Sequence, residues 1–298
     1  RKYIKDGNYN IKTYSLDYTR MFSDNLKVSA GSRFADVGTD NDLESQILSN
    51  TGNFTKIDSL SSQFLIDETI FAVYSKLNAT AGKWSFSGGL RYEDSNTDGT
   101  SIFMKDGSLK TEVLKRPIKK LFPSASISRK MTDVLGASLS YSYRIQSPSY
   151  SSLNAFQTFL DPFSASQGNQ RLTPSYTNNY QFNLTFEGQP FFTVGYSKTD
   201  DTIFDLIKQD NETAQIRQQV VNVENNANWN FRLFAPVDFA DGLEGYTGII
   251  VTNTDYQSST FGIDLNKWNL IWFLQASYEL PWDINFELSG NYGTGALE

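Results

Sequence analysis

The residues with the most chemical potential lie in a polar segment, Gln146 to Pro174, which carries Tyr150, Phe156, Phe159, Phe163 and Arg171. Aromatic rings and a guanidinium on a loop have the chemistry to stack on a sugar or grip a peptide. They also have the chemistry to pack the loop upon itself, because compact loops are held by their own side chains. Pro148, Pro162 and Pro174 stiffen the segment under either reading. A second group comprises Arg91, Glu93, Arg144 and Gln146, which alternate with apolar neighbours. Such residues would line an aqueous lumen, touching a passing solute, a filling domain or one another. A third group, Asp94-Ser95-Asn96-Thr97-Asp98-Gly99, has the spacing that opens a calcium loop, D-x-N-x-D-G. Its twelfth position is Lys105, where a bidentate Glu belongs, so a solvated loop is the expectation there. The acids Asp36, Asp40, Asp42 and Glu44 are read in the same way.

Composition removes several classes of function. The chain has no histidine and no cysteine. A Ser-His-Asp triad, imidazole metal sites, thiolate chemistry and a disulfide framework therefore cannot be assembled within it. A glycosidase would need two acids facing each other about 5 to 10 Å apart, and no spacing here proposes them. No catalytic residue, metal ligand or cofactor is assigned, and the expectation is a protein that is not an enzyme. A formal charge of -7 and a pI near 4.8 argue against nucleic acid as a partner.

The elements that must position these groups are amphipathic strands. Leu135, Ala137, Leu139, Tyr141, Tyr143 and Ile145 alternate with Gly136, Ser138, Ser140, Ser142, Arg144 and Gln146. Tyr176, Tyr180, Phe182, Leu184 and Phe186 alternate with Thr177, Asn179, Gln181, Asn183 and Thr185. Side chains on a strand point to opposite faces with a period of two, so each segment has one apolar and one polar face. The same rhythm predicts twelve strands in all, starting near Asn10, Leu26, Leu65, Trp84, Lys119, Leu135, Tyr176, Phe191, Val220, Gly245, Trp268 and Trp282. Short turns are expected after odd-numbered strands. Long polar loops are expected after the second, fourth, sixth and tenth, including residues 37–62 and 94–117. Short turns on one rim and long loops on the other are the pattern of an outer-membrane barrel, with aromatic residues near the strand ends forming girdles. No run of about 18 apolar residues is present to make a transmembrane helix. A soluble β-sandwich is the alternative, although many of these segments exceed its usual five or six residues per strand.

Three stretches carry a family likeness. The first is Arg144-Ile145-x-x-Pro148-Ser149-Tyr150-x-x-Leu153-Asn154-x-Phe156, followed by Gly168-Asn169-x-x-Leu172-x-Pro174. The others are Gly89-Leu90-Arg91-Tyr92-Glu93 and Leu121-Phe122-Pro123-Ser124. Together they resemble the barrel of TonB-dependent receptors from Bacteroidota outer membranes. The chain departs from that pattern at Ser147, Ala155 and Gln170. The resemblance implies an all-β, antiparallel transmembrane barrel, about 12 strands of roughly 22. Residues 1–298 would be one partial domain lacking an N-terminal plug and the closing strands. It also implies energy-coupled uptake of a nutrient (a glycan, a peptide or a metal chelate) recognised at extracellular loops. The implied partners are outer-membrane lipid, TonB through the missing N-terminal part, and a surface lipoprotein. A passive porin is the alternative within the membrane class.

Overall fold

The computed structural model describes residues 2–49, 52–154, 156–159, 161, 163–210, 215–280, 282 and 284–295. The strands are β1 (Lys2–Ser23), β2 (Leu26–Leu48), β3 (Phe54–Lys56), β4 (Ser62–Ala81), β5 (Trp84–Lys105), β6 (Ser108–Lys130), β7 (Leu135–Gln146), β8 (Gln157–Phe159), β9 (Ser164–Gln167), β10 (Ser175–Phe186), β11 (Gln189–Asp210), β12 (Gln215–Pro236), β13 (Leu243–Ser258), β14 (Ile263–Leu280) and β15 (Ile284–Gly293). Among them stand one helical turn, α1 (Tyr150–Leu153), and a 3-10 turn at Asp58–Leu60. Twelve strands form an antiparallel meander in the order β1-β2-β4-β5-β6-β7-β10-β11-β12-β13-β14-β15, and β3, β8 and β9 lie off this path. These twelve are the expected strands in the expected sequence, and the sheet is not closed on itself.

The apolar face is the outer one. Leu16, Ser32, Val73, Tyr92 and Leu121 stand opposite one another across five strands. Trp84, Phe86, Leu90, Leu139, Tyr180, Trp229 and Trp272 on this face are each more than a third exposed. A face this broad and apolar marks contact with lipid. Its upper limit is drawn by charge: Lys12 faces Asp36, and Lys119 binds Asp94 at 3.1 Å. Below that line, toward the short-turn rim, sit aromatic rings. Tyr14 stacks with Phe34 at 6.5 Å, and Tyr141, Tyr180, Tyr196 and Trp229 follow one another at 5.0, 6.3 and 4.6 Å. Amphipathic rings beside charges are what a membrane–water interface selects. At the short-turn rim the Arg129 guanidinium lies 4.9 Å from the Trp84 ring.

Three expectations about connections are corrected. Residues 94–117 are not a loop: β5 runs on to Lys105, and β6 starts at Ser108. Only Asp106 and Gly107 intervene, with φ of 52° and 75°. Asp-Gly is the dipeptide that favours positive φ at both centres of a hairpin turn, and that signal was present in the sequence. Most of 37–62 is strand as well, since β2 reaches Leu48, and the connection between β13 and β14 is only Ser259 to Gly262. Above the membrane both faces of a strand meet water or polar loop, so the apolar alternation that reveals a spanning strand fades while backbone pairing continues.

Candidate functional site

The polar face of the sheet carries the candidate site. Asp17, Gly31, Tyr74, Arg91 and Phe122 are successive partners across β1, β2, β4, β5 and β6. The Tyr74 hydroxyl donates to Asp17 at 2.6 Å, crossing over Gly31. A Cβ at Gly31 would lie 2.6 Å from both the Asp17 carboxylate and the Tyr74 ring, so only glycine leaves the ring its path. The Arg91 guanidinium donates to Glu93 through Nη2 at 2.6 Å and Nε at 3.1 Å. Glu93 is buried, and Lys120, its partner on β6, places Nζ 3.3 Å from the centre of the Tyr176 ring. Arg91 and Glu93 are thus brought together on the polar face. Arg144 and Gln146 occupy the same face of β7 but, among the described residues, make no bond to that pair; they stand opposite Thr177 and Ser175.

Asp94, Asn96 and Asp98 sit at alternate positions of β5, so the expected solvated loop is strand. Next-but-one residues on a strand are about 7 Å apart, which prevents three of them from wrapping one ion. Asp94 pairs with Lys119, and Asn96 donates to Asp98 at 2.8 Å.

The segment between β7 and β10 folds back onto the polar face. Ser149 caps α1 by accepting from the Ser152 amide at 3.2 Å. Leu153 and Leu172 insert among Phe64, Ile66 and Leu114 from the inner faces of β4 and β6, and all five are buried. The Tyr150 hydroxyl donates to Glu68, whose other oxygen accepts from Thr97 at 2.9 Å. Burial first, then the Glu68 carboxylate, pushes the Tyr150 phenol well above its ordinary pKa. Gln170 donates to Ser101 at 2.5 Å. The Asn169 amide donates to the Ser152 carbonyl at 2.7 Å, and a Cβ on Gly168 would run into that carbonyl. β9 adds to β12 in parallel register. The motif residues of the sequence, from Pro148 to Leu172, are therefore what folds this loop.

Of the candidate contact residues, Phe156 is buried beside Phe103 at 6.5 Å, while Phe163 and Arg171 are exposed. Phe159 lies in β8, and its side chain is outside the described residues. Between the loop and the inner faces of β1 and β2 is a recess of about 620 Å³, lined by Tyr9, Asn41, Asp42, Tyr150, Asn154 and Phe156. The sequence did not disclose the Asp17–Tyr74 rung or Glu68, because a residue pairing across a sheet leaves no local spacing to read.

A lipid-facing apolar belt, an inner polar face and strands rising past the membrane define an integral outer-membrane β-barrel protein. Residues 1–297 match the outer membrane protein beta-barrel family, and the chain belongs to that family. It is similar in fold to the ferric yersiniabactin uptake receptor FyuA from Yersinia pestis, at a TM-score of 0.63 and 13% identity over 98% of this chain and 46% of that one. The copper transporter OprC aligns with a TM-score of 0.63 at 13% identity, over 97% of this chain and 49% of the other. The ferric-catecholate import receptor Fiu from E. coli K12 gives 0.59 at 12%, covering 96% and 44%. The chain thus spans less than half the length of these structures. A search of curated proteins finds no match.

Proposed function

We propose that the protein is the barrel of a TonB-dependent receptor of the Bacteroidota type, which binds a nutrient at its extracellular mouth and passes it through the lumen. The observation that supports this best is the deep mouth itself. β2, β4, β5 and β6 rise beyond the Lys119–Asp94 boundary, and a folded loop and a recess of about 620 Å³ lie on their polar side. The fold shared with three metal-uptake proteins supports the same reading. In this reading Arg91, Glu93, Arg144 and Gln146 meet a plug supplied by a longer polypeptide, which also carries the TonB contact. Phe163 and Arg171 offer the loop's exposed surface to the nutrient or to a surface lipoprotein.

The test is growth of the source cell on single metal chelates, glycans or peptides, with the gene deleted and, separately, with the TonB complex deleted. The two deletions should abolish growth on the same nutrient. Growth that needs this gene but not TonB would establish a passive porin instead.

A further inference from the structure

We infer that the extracellular wall contains an oxyanion-binding recess between β6, the returning limb of the loop and β12, suited to a phosphate or carboxylate group. β7 ends at Gln146 and β10 begins at Ser175, while the strands that flank them, β6 and β11, reach Ser108 and Asp210, with β12 next to β11. The wall therefore has a gap above the two short strands, and the loop limb from Gln167 to Thr173 only partly fills it. What is left is a recess of about 700 Å³. Lys115, Arg116 and Arg171 line it, with Asn169 and Gln219, against a single acid, Glu112. Three cations to one anion is an inversion for a chain of net charge -7.

Arg116 is the centre of the argument. Its Nη2 is buried and has no hydrogen-bond partner, and among the described residues Arg116 makes no ion pair within 4.0 Å. Glu68 is close enough to be felt electrostatically, but its two oxygens already accept the Thr97 and Tyr150 hydroxyls. Arg116 as a whole is half-buried, and a guanidinium stays charged with five donors, so covering one of its arms without an acceptor is costly. Its planar fork matches the oxygens of a carboxylate or phosphate. Arg171 is exposed at the recess, and Lys115, whose side chain leaves β6 on the opposite face from Arg116, meets it along the edge of β6 that β7 leaves unpaired.

The height of the recess fits two carriers of such a group. Arg116 is three residues beyond Lys119, about 10 Å along the strand at a rise of ~3.3 Å per residue, or about 7 to 8 Å in height for a strand tilted by roughly 35 to 45°. Lipid headgroups occupy roughly the first 5 to 8 Å above the hydrocarbon. The oxyanion belongs either to an outer-leaflet lipid or to a soluble ligand arriving at the mouth.

The experiment uses the full-length protein in zwitterionic detergent, titrated calorimetrically with inorganic phosphate. A second arm compares retention of phosphatidylglycerol and phosphatidylcholine from mixed nanodiscs by native mass spectrometry. Wild-type protein should bind phosphate, and Arg116→Gln should weaken binding at least tenfold. The double variant Lys115→Ala/Arg171→Ala changes only exposed side chains and should weaken it too, which decides the matter if Arg116→Gln loses its sheet structure. Preferential retention of phosphatidylglycerol, lost in the variants, identifies a lipid; phosphate binding without that preference identifies a soluble ligand. Identical titrations for wild type and both variants, or no phosphate binding together with no lipid preference, overturn the inference. Neither arm depends on nutrient uptake, so failure of the receptor reading would not be mistaken for failure of the recess.

Discussion

Tyr150 shows how one side chain of the family motif does its work. Its hydroxyl bonds a carboxylate on β4 while its ring packs beside Leu153. Tyr150→Phe removes a hydrogen bond to a charged acceptor, worth about 1.5 to 3 kcal/mol. The loop from 147 to 174 should then be cut faster by protease in the folded barrel, with the sheet unchanged. Leu153→Ala, which opens a cavity in the loop's own core, should cost about 2 to 5 kcal/mol of that docking by the same assay. An unaltered cleavage rate in both variants would show that the loop is held by something else. Glu224 gives a pH prediction. The Thr260 hydroxyl, then that of Ser258, hold its carboxyl down to about 2 from an ordinary 4.5. A depressed pKa stabilises the structure above the unfolded value and loses that contribution as pH falls through the folded one. The β13–β14 turn should therefore lose hydrogen-exchange protection between pH 4.5 and 2. Glu224→Gln should already show the low-pH exchange at neutral pH, and should vary little across that window.

At the scale of elements, alternation carried most of the information. The two faces of β7 could be read directly from Leu139 and Ser140, because a spanning strand must show lipid one face and polar surroundings the other. Cysteine placed at Ser140 in the outer-membrane-embedded protein should react with a water-soluble maleimide, whereas cysteine at Leu139 should be shielded by lipid. The reverse pattern would invert the sheet. What alternation could not convey was the length of β5 and β6 above the membrane. Ser95, Thr97 and Ser101 are buried there without being apolar, since the loop covers them with polar partners such as Gln170. The Asp106-Gly107 turn was the available clue, and reading it as a hairpin centre would have recovered both strands. Of the arrangement on the polar face, the shared face of Arg91 and Glu93 was legible. Asp17, Tyr74 and Glu68 were not, because register fixes their neighbours and a single sequence does not spell register out.

The whole molecule is a sheet with one side dissolved in lipid. Trp84, Phe86, Leu90, Leu139 and Tyr180 would be exposed to water outside a bilayer, so the protein should partition with outer membranes. In detergent it should keep its sheet circular dichroism and migrate differently on gels before and after boiling. Monomeric, folded behaviour in plain buffer would contradict the lipid-facing surface and return the chain to a sandwich. The Tyr150–Glu68 and Gln170–Ser101 bonds join residues 82 and 69 positions apart, whereas most hairpins of the meander join strands that are immediate neighbours in the chain. Closing a long stretch of chain costs more entropy than zipping the next strand, and its reward comes only once both binding surfaces exist. The loop should accordingly dock last, after β4, β5, β6, β7 and β10 are aligned. During assembly it is a record of completion: a barrel whose loop resists protease is one whose wall has already formed.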